Sequence, residues 1–161
     1  FIEFLGFLLV LVSIFLTLSI ISYSPNDPNF IYLAENSEIK NFGKFYGSVI
    51  SDFILQAFGI ISFLIVLNIL GWGYKIIKQK KITFSYLKTL YILSYIVFGT
   101  VFLNILYNDS FWLIDNGNGG FVGRIIKENI YSVSNFLENI YITYCLAILT
   151  IIFFTLGKNF I

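Results

Sequence analysis

The chain has 161 residues, of which 58% are hydrophobic and only 12% charged. A soluble domain carries about 45–50% apolar and about 25% charged residues, so this composition excludes the ordinary water-soluble globule and makes lipid the natural solvent. The net charge of +1 is too small a bias for a surface that neutralises nucleic-acid phosphates, and with no His and one Cys a His or Cys metal cage, an intrachain disulfide and a His-based catalytic dyad are all excluded.

The sequence begins at Phe1 and holds no Met, which implies a trimmed or processed piece of a longer chain. A helix needs about 20 apolar residues to cross a hydrocarbon core about 30 Å thick. Residues 4–23, between Glu3 and Asp27, meet that need. Their long apolar run, with no basic leader and no small-x-small site, argues against a cleaved signal peptide. The next residues, Ser24, Pro25, Asn26, Asp27 and Pro28, end a helix and build turns. Asn41, Gly43, Gly47, Ser51 and Asp52 then lead into a second span at 53–74. Gly43, Gly47 and Ser51 fall four apart and share one helix face, where small residues let another backbone approach; if the region oligomerises, this is the first candidate surface. Gly59, Gly71 and Gly73 are likewise compatible with close helix contacts.

The connection to the third span carries Lys75, Lys78, Lys80, Lys81 and Lys88 and no acid. The third span is expected at 89–108, between Lys88 and Asp109. Beyond it, Asp115, Asn116, Gly117, Asn118, Gly119, Gly120 and Gly123 resemble a phosphate cradle at first sight. They lack the GK[ST] ending and fall on an outward loop, so they are read as a flexible turn. Val122, Ile125, Ile126, Ile130, Val133 and Leu137 recur at helical spacing, with Arg124, Lys127, Glu128 and Asn135 on other faces. That pattern predicts an amphipathic helix at the outer interface or against the first outer loop. A fourth span follows at 139–157, between Glu138 and Lys158.

These runs are apolar on all sides rather than alternating, which selects helices over a lipid-facing barrel. The expected fold is all-α: one domain over 1–161, an integral membrane four-helix bundle with two outer loops, the second carrying the interfacial helix. Lys and Arg collect on cytoplasmic loops. The lysine-rich connection therefore faces inward, the acid-rich loops (Asp27, Glu35, Glu38 and Asp52; Asp109, Asp115, Glu128 and Glu138) face outward, and both termini lie inside. Tyr23, Trp72, Tyr74, Tyr86, Tyr107, Trp112 and Tyr141 stand where an interfacial aromatic belt belongs.

No ionisable residue and no Pro interrupts a span, so the usual marks of a proton relay or a broken transporter helix are missing. Gln56, Asn68 and Asn104 read as interhelical hydrogen-bond partners, and Cys145 as a small buried apolar group.

SYSPNDPNF at 22–30, NFGKFYGSVISD at 41–52 followed by Phe58 and Gly59, GWGYKIIKQKK at 71–81 and GGFVGRIIKE at 119–128 together resemble the N-terminal four-span region of the FtsK/SpoIIIE family of bacterial DNA translocases. Phe30 stands where that family often has Trp, and Lys44 where a second Gly is usual. The resemblance implies the anchor of a hexameric, ATP-driven motor that moves double-stranded DNA through the closing septum in cell division and chromosome partition. It implies a bacterial inner membrane location at the septum, self-association and contacts with other division proteins. Catalysis, ATP, Mg and DNA binding would then belong to a cytoplasmic motor beyond these residues, which themselves hold no Walker sequence, no catalytic residue and no metal or cofactor site.

Two other readings compete. A small channel or transporter subunit of the inner membrane would line a pore with Gln56, Asn68 and Asn104. A lipid-directed membrane enzyme would have only Asp27, Asp52, Asp109, Asp115 and Arg124 near the outer interface to work with.

Overall fold

Lipid offers no hydrogen bonds to a backbone, so a chain this apolar must pair its N–H and C=O groups internally. It does so as helices. A computed structural model describes residues 1–31, 38–82, 85–109, 113, 116–131, 137 and 139–158, and no strand occurs among them. In chain order the elements are α1 (Ile2–Ile21), α2 (Lys44–Phe58), a 3₁₀ turn (Gly59–Ile61), α3 (Ser62–Gln79), α4 (Tyr86–Leu106), α5 (Gly120–Tyr131) and α6 (Ile140–Gly157). Four helical segments are long and apolar enough to cross a membrane: Ile2–Ile21, Lys44–Gln79, Tyr86–Leu106 and Ile140–Gly157. The all-α class and the four crossings agree with the sequence pattern.

The second crossing is longer than expected and is not one straight helix. Its 36 residues from Lys44 to Gln79 would extend about 54 Å at about 1.5 Å each, well beyond a hydrocarbon core of about 30 Å. The break falls at Gly59, whose φ of +58° interrupts the α-helical ladder. Ser62 Oγ donates to Gly59 O at 2.6 Å, which satisfies a carbonyl that the break would leave open.

The chain divides into two compact units, one built on residues 1–54 and 63–84, the other on 55–62 and 85–157. In the first, α1 and α3 run antiparallel. Ser13 Oγ donates to Val66 O at 3.1 Å, and seven residues away on both helices Gly6 meets Gly73. A Cβ on Gly6 would stand 2.9 Å from Gly73 O, and one on Gly73 2.8 Å from Gly6 O. These backbones touch directly, and only hydrogen side chains permit it. At the same end, Lys80 Nζ lies 2.7 Å from Glu3 Oε1, so the start of α1 and the end of α3 share one end of this unit.

In the second unit, α4 and α6 pack antiparallel along an aromatic seam. Tyr95 meets Phe154 edge-on at 5.5 Å between centroids, and Phe98 stacks on Phe153 at 5.6 Å. Of the segment expected to be amphipathic, from Val122 to Leu137, the part up to Tyr131 is helical as α5, which rests on α4 through its small face: a Cβ on Gly123 would lie 2.3 Å from Thr100 O. Other hydroxyls within the spans bond to their own helices, as Thr17 does to Ser13 O, Thr100 to Ile96 O and Thr150 to Leu146 O.

Cys145 is a correction. It is exposed on α6 rather than buried, because the helix turns Thr143 and Thr150 inward instead. Glu35, Trp112, Asp115, Val133, Asn135 and Glu138 lie outside the described residues.

Gly73→Ala is expected to destabilise the protein by roughly 1–3 kcal/mol through overpacking. Gly157→Ala, where a new Cβ would find its nearest neighbour at 3.4 Å, should be close to neutral. Denaturant titration in detergent, followed by circular dichroism, measures both.

Candidate functional site

The first polar cluster joins two loop motifs that lie well apart in the sequence. Asp27 closes a turn by donating its N–H to Ser24 O at 3.1 Å. Its buried carboxylate accepts the N–H of Lys40 at 3.1 Å on one oxygen and that of Asn41 at 2.8 Å on the other. Asn41, only 1% exposed, is the centre of the cluster. Its Nδ2 donates to Ser19 O at 2.8 Å and to Ser51 Oγ at 3.2 Å, while its Oδ1 accepts from Gly43 N at 2.9 Å. Ser51 Oγ in turn donates to Ser48 O at 3.1 Å, and Ser48 Oγ donates to Pro28 O. Ser22 Oγ accepts from Phe42 N, and Tyr23 OH donates to Asp52 Oδ1 at 2.9 Å. The end of α1, the first loop and the start of α2 thus form one hydrogen-bonded unit.

The Gly43, Gly47 and Ser51 face is occupied within the chain. A Cβ on Gly47 would stand 2.3 Å from Asn41 Oδ1, and one on Gly43 2.7 Å from Ser19 Oγ and 2.9 Å from Phe15. This corrects the expectation that the face is offered to a second copy. The packing partner is α1.

A second cluster in the other unit does the same for the glycine-rich loop. Asn118 Nδ2 donates to Tyr107 O at 3.1 Å and Asp109 O at 2.9 Å, covering carbonyls past the end of α4. Asn118 O accepts Ile60 N at 3.0 Å, which ties the loop to the 3₁₀ turn. Gly59 and Gly120 face each other there: a Cβ on Gly59 would fall 1.9 Å from Asn118 O, and one on Gly120 2.6 Å from Gly59 N. Gly117, Gly119 and Gly123 are equally confined, against Asn108, Asn104 and Thr100. Asn104 Nδ2 donates to Asn108 Oδ1 at 3.1 Å, Asn116 Nδ2 to Gln56 Oε1 at 2.9 Å, and Lys127 Nζ to Asn104 O at 3.1 Å. The turn expected to be flexible is a packed clasp. Gln56 and Asn104 serve it, and Asn68 Nδ2 donates to Leu64 O on its own helix.

Ser24 and Pro25 contribute backbone shape rather than side-chain bonds among the described contacts. In the lysine cluster, Lys78, Lys80 and Lys81 are exposed and Lys75 and Lys88 half-buried. Hydrogen bonding and charge attraction from Glu3 raise Lys80 above the usual ammonium range. That pair is lost as pH rises past the raised value or falls far enough to protonate Glu3, and at full exposure it contributes little. No cluster of three or more His, Cys, Asp or Glu able to hold a metal occurs among the described residues.

Residues 1–158 match the family model described as the 4TM region of DNA translocase FtsK/SpoIIIE. The chain belongs to this family. A curated relative, the DNA translocase FtsK of Rickettsia bellii (strain RML369-C), is 29% identical over 145 residues, covering 88% of this chain. The chain spans only 19% of that relative's length. No solved structure matches it. The two clusters account for motifs that carry the FtsK/SpoIIIE resemblance. At Lys44, where the resemblance leads one to expect Gly, φ is +52°, a left-handed conformation that Gly adopts at least cost.

Sequence analysis does not single out Ser19 or Asn108, holds Ser22 and Ser48 only as parts of longer motifs, and reads Tyr23 as an interfacial aromatic rather than as a partner of Asp52. Ser19 and Ser22 near the end of an apolar span were the available signal.

Asn41→Ala is expected to cost roughly 1–3 kcal/mol, since it strands buried partners on α1 and α2. Ser24→Ala should stay within about 0.5 kcal/mol. Unfolding midpoints of the two variants in the same detergent test the contrast.

Proposed function

We propose that this four-span region is the membrane anchor and septum-targeting part of an ATP-driven double-stranded DNA translocase acting in cell division and chromosome segregation. The observation that carries the reading is the family match over residues 1–158, joined to four membrane-crossing helices. An FtsK-type motor would work on the cytoplasmic side. The lysine cluster from Lys75 to Lys88 supports an inside position for that connection by the positive-inside rule, and an even number of spans would then bring both termini to the same side. The start of α1 sharing an end with Lys80 agrees with this orientation. The membrane in question is the bacterial inner membrane, and self-association into a hexamer and contacts with division proteins follow from the same proposal.

ATP and Mg chemistry is assigned outside these residues. The glycine-rich stretch 116–120 lacks a GK[ST] ending, and its glycines are closed against Gly59 and Asn108 rather than open to a phosphate. The region serves the motor by fixing where it sits.

Three measurements test the proposal. A fluorescent protein fused after Ile161 should concentrate at midcell in dividing bacteria, whereas an even membrane distribution overturns septum targeting. Alkaline phosphatase fused after Lys81 should be inactive and after Asn116 active; the reverse pattern overturns the orientation. Purified residues 1–161 should show no ATP hydrolysis above a buffer blank.

A further inference from the structure

The basic end of α3 has a geometry suited to more than setting orientation. Lys75 and Lys78 lie in its last turns, Lys80 and Lys81 follow, and no acid occurs from 75 to 88. Lys78, Lys80 and Lys81 are exposed, and so are the large aromatic side chains of Trp72 and Tyr74 just before them. Exposed Trp and Tyr at the end of an apolar helix mark headgroup level. At about 1.5 Å per residue, Lys75 and Lys78 stand about 4.5 and 9 Å along the helix beyond Trp72, while the polar layer on each side of a bilayer is about 5–8 Å thick. The Lys78 ammonium is 5.9 Å from the centre of the Tyr74 ring, one turn back toward the apolar span. Its charge is therefore directed to the interface rather than away from it. Glu3 offsets one charge of the cluster, through Lys80.

We propose that Lys75, Lys78 and Lys81, framed by Trp72 and Tyr74, bind the headgroups of anionic phospholipids. The bilayer surface offers a dense array of phosphates at the depth where these ammonium groups sit, and juxtamembrane lysines gain from such a surface within a Debye length. A nucleic-acid partner would need the charge to project into the water beyond the headgroups, whereas Lys78 turns back over the Tyr74 ring. The inference depends on α3 crossing a membrane and not on what the anchor carries.

The test uses Trp72 as the reporter, in the Trp112→Phe form of residues 1–161. The protein is reconstituted in vesicles of three parts phosphatidylcholine to one part phosphatidylglycerol, with bromine on the acyl chains of one lipid or the other. Per brominated lipid, phosphatidylglycerol should quench Trp72 about two- to threefold more than phosphatidylcholine, with the excess shrinking at high salt. Replacing Lys75, Lys78 and Lys81 by Gln should bring the two lipids to parity. Replacing them by Arg should keep the excess, and circular dichroism confirms that both variants remain helical. Equal quenching in the unsubstituted lysine form overturns the proposal. So does an excess that survives the Gln changes, or an unchanged excess accompanied by loss of binding to a short DNA duplex.

Discussion

Every helix that ends or breaks within reach of lipid must find hydrogen-bond partners in the protein itself, because hydrocarbon supplies none. The architecture follows from that constraint. Where α1 ends, Asn41 Nδ2 takes up Ser19 O, and where α4 ends, Asn118 Nδ2 takes up Tyr107 O and Asp109 O. Where the second crossing breaks at Gly59, the next N–H, that of Ile60, is accepted by Asn118 O. Two asparagines, each buried and each bridging loop to helix, carry much of this satisfaction.

Packing between helices in lipid cannot rely on hiding apolar surface, since lipid tails are as apolar as the side chains. Close backbone approach takes its place. Gly6 against Gly73, Gly43 and Gly47 against α1, and Gly123 against Thr100 are contacts at which a methyl group would already clash. The large residues Phe4, Phe7, Leu11, Ile148 and Ile151 remain exposed, which in lipid is the solvated state. Small and polar residues such as Ser13, Ser19, Ser51 and Thr100 are buried beside Ile20, Leu55 and Tyr95, while many large apolar side chains cover the outside.

A loop wired through its backbone to Asp27 and Asn41, and a glycine turn locked against Gly59, provide defined surfaces instead of loose connections.

Crossing number, helix type and the Lys asymmetry were legible in the order of residues alone, because each depends on local composition measured against a fixed membrane thickness. So was the importance of Asn41, Gly43, Gly47, Gly59 and Gly119, as spacing. What each of them touches was not. Gly47 reads as a surface for a neighbour, yet it meets Asn41 of its own loop; Gly59 reads as a packing residue, yet it breaks its helix at positive φ; Asn116 to Gly120 read as flexible, yet they are clasped to residues 56 to 60. Hydropathy and periodicity report which solvent a segment requires, and that is a property of the segment. Which donor meets which acceptor depends on where two segments distant in sequence come together, and only the tertiary structure decides that.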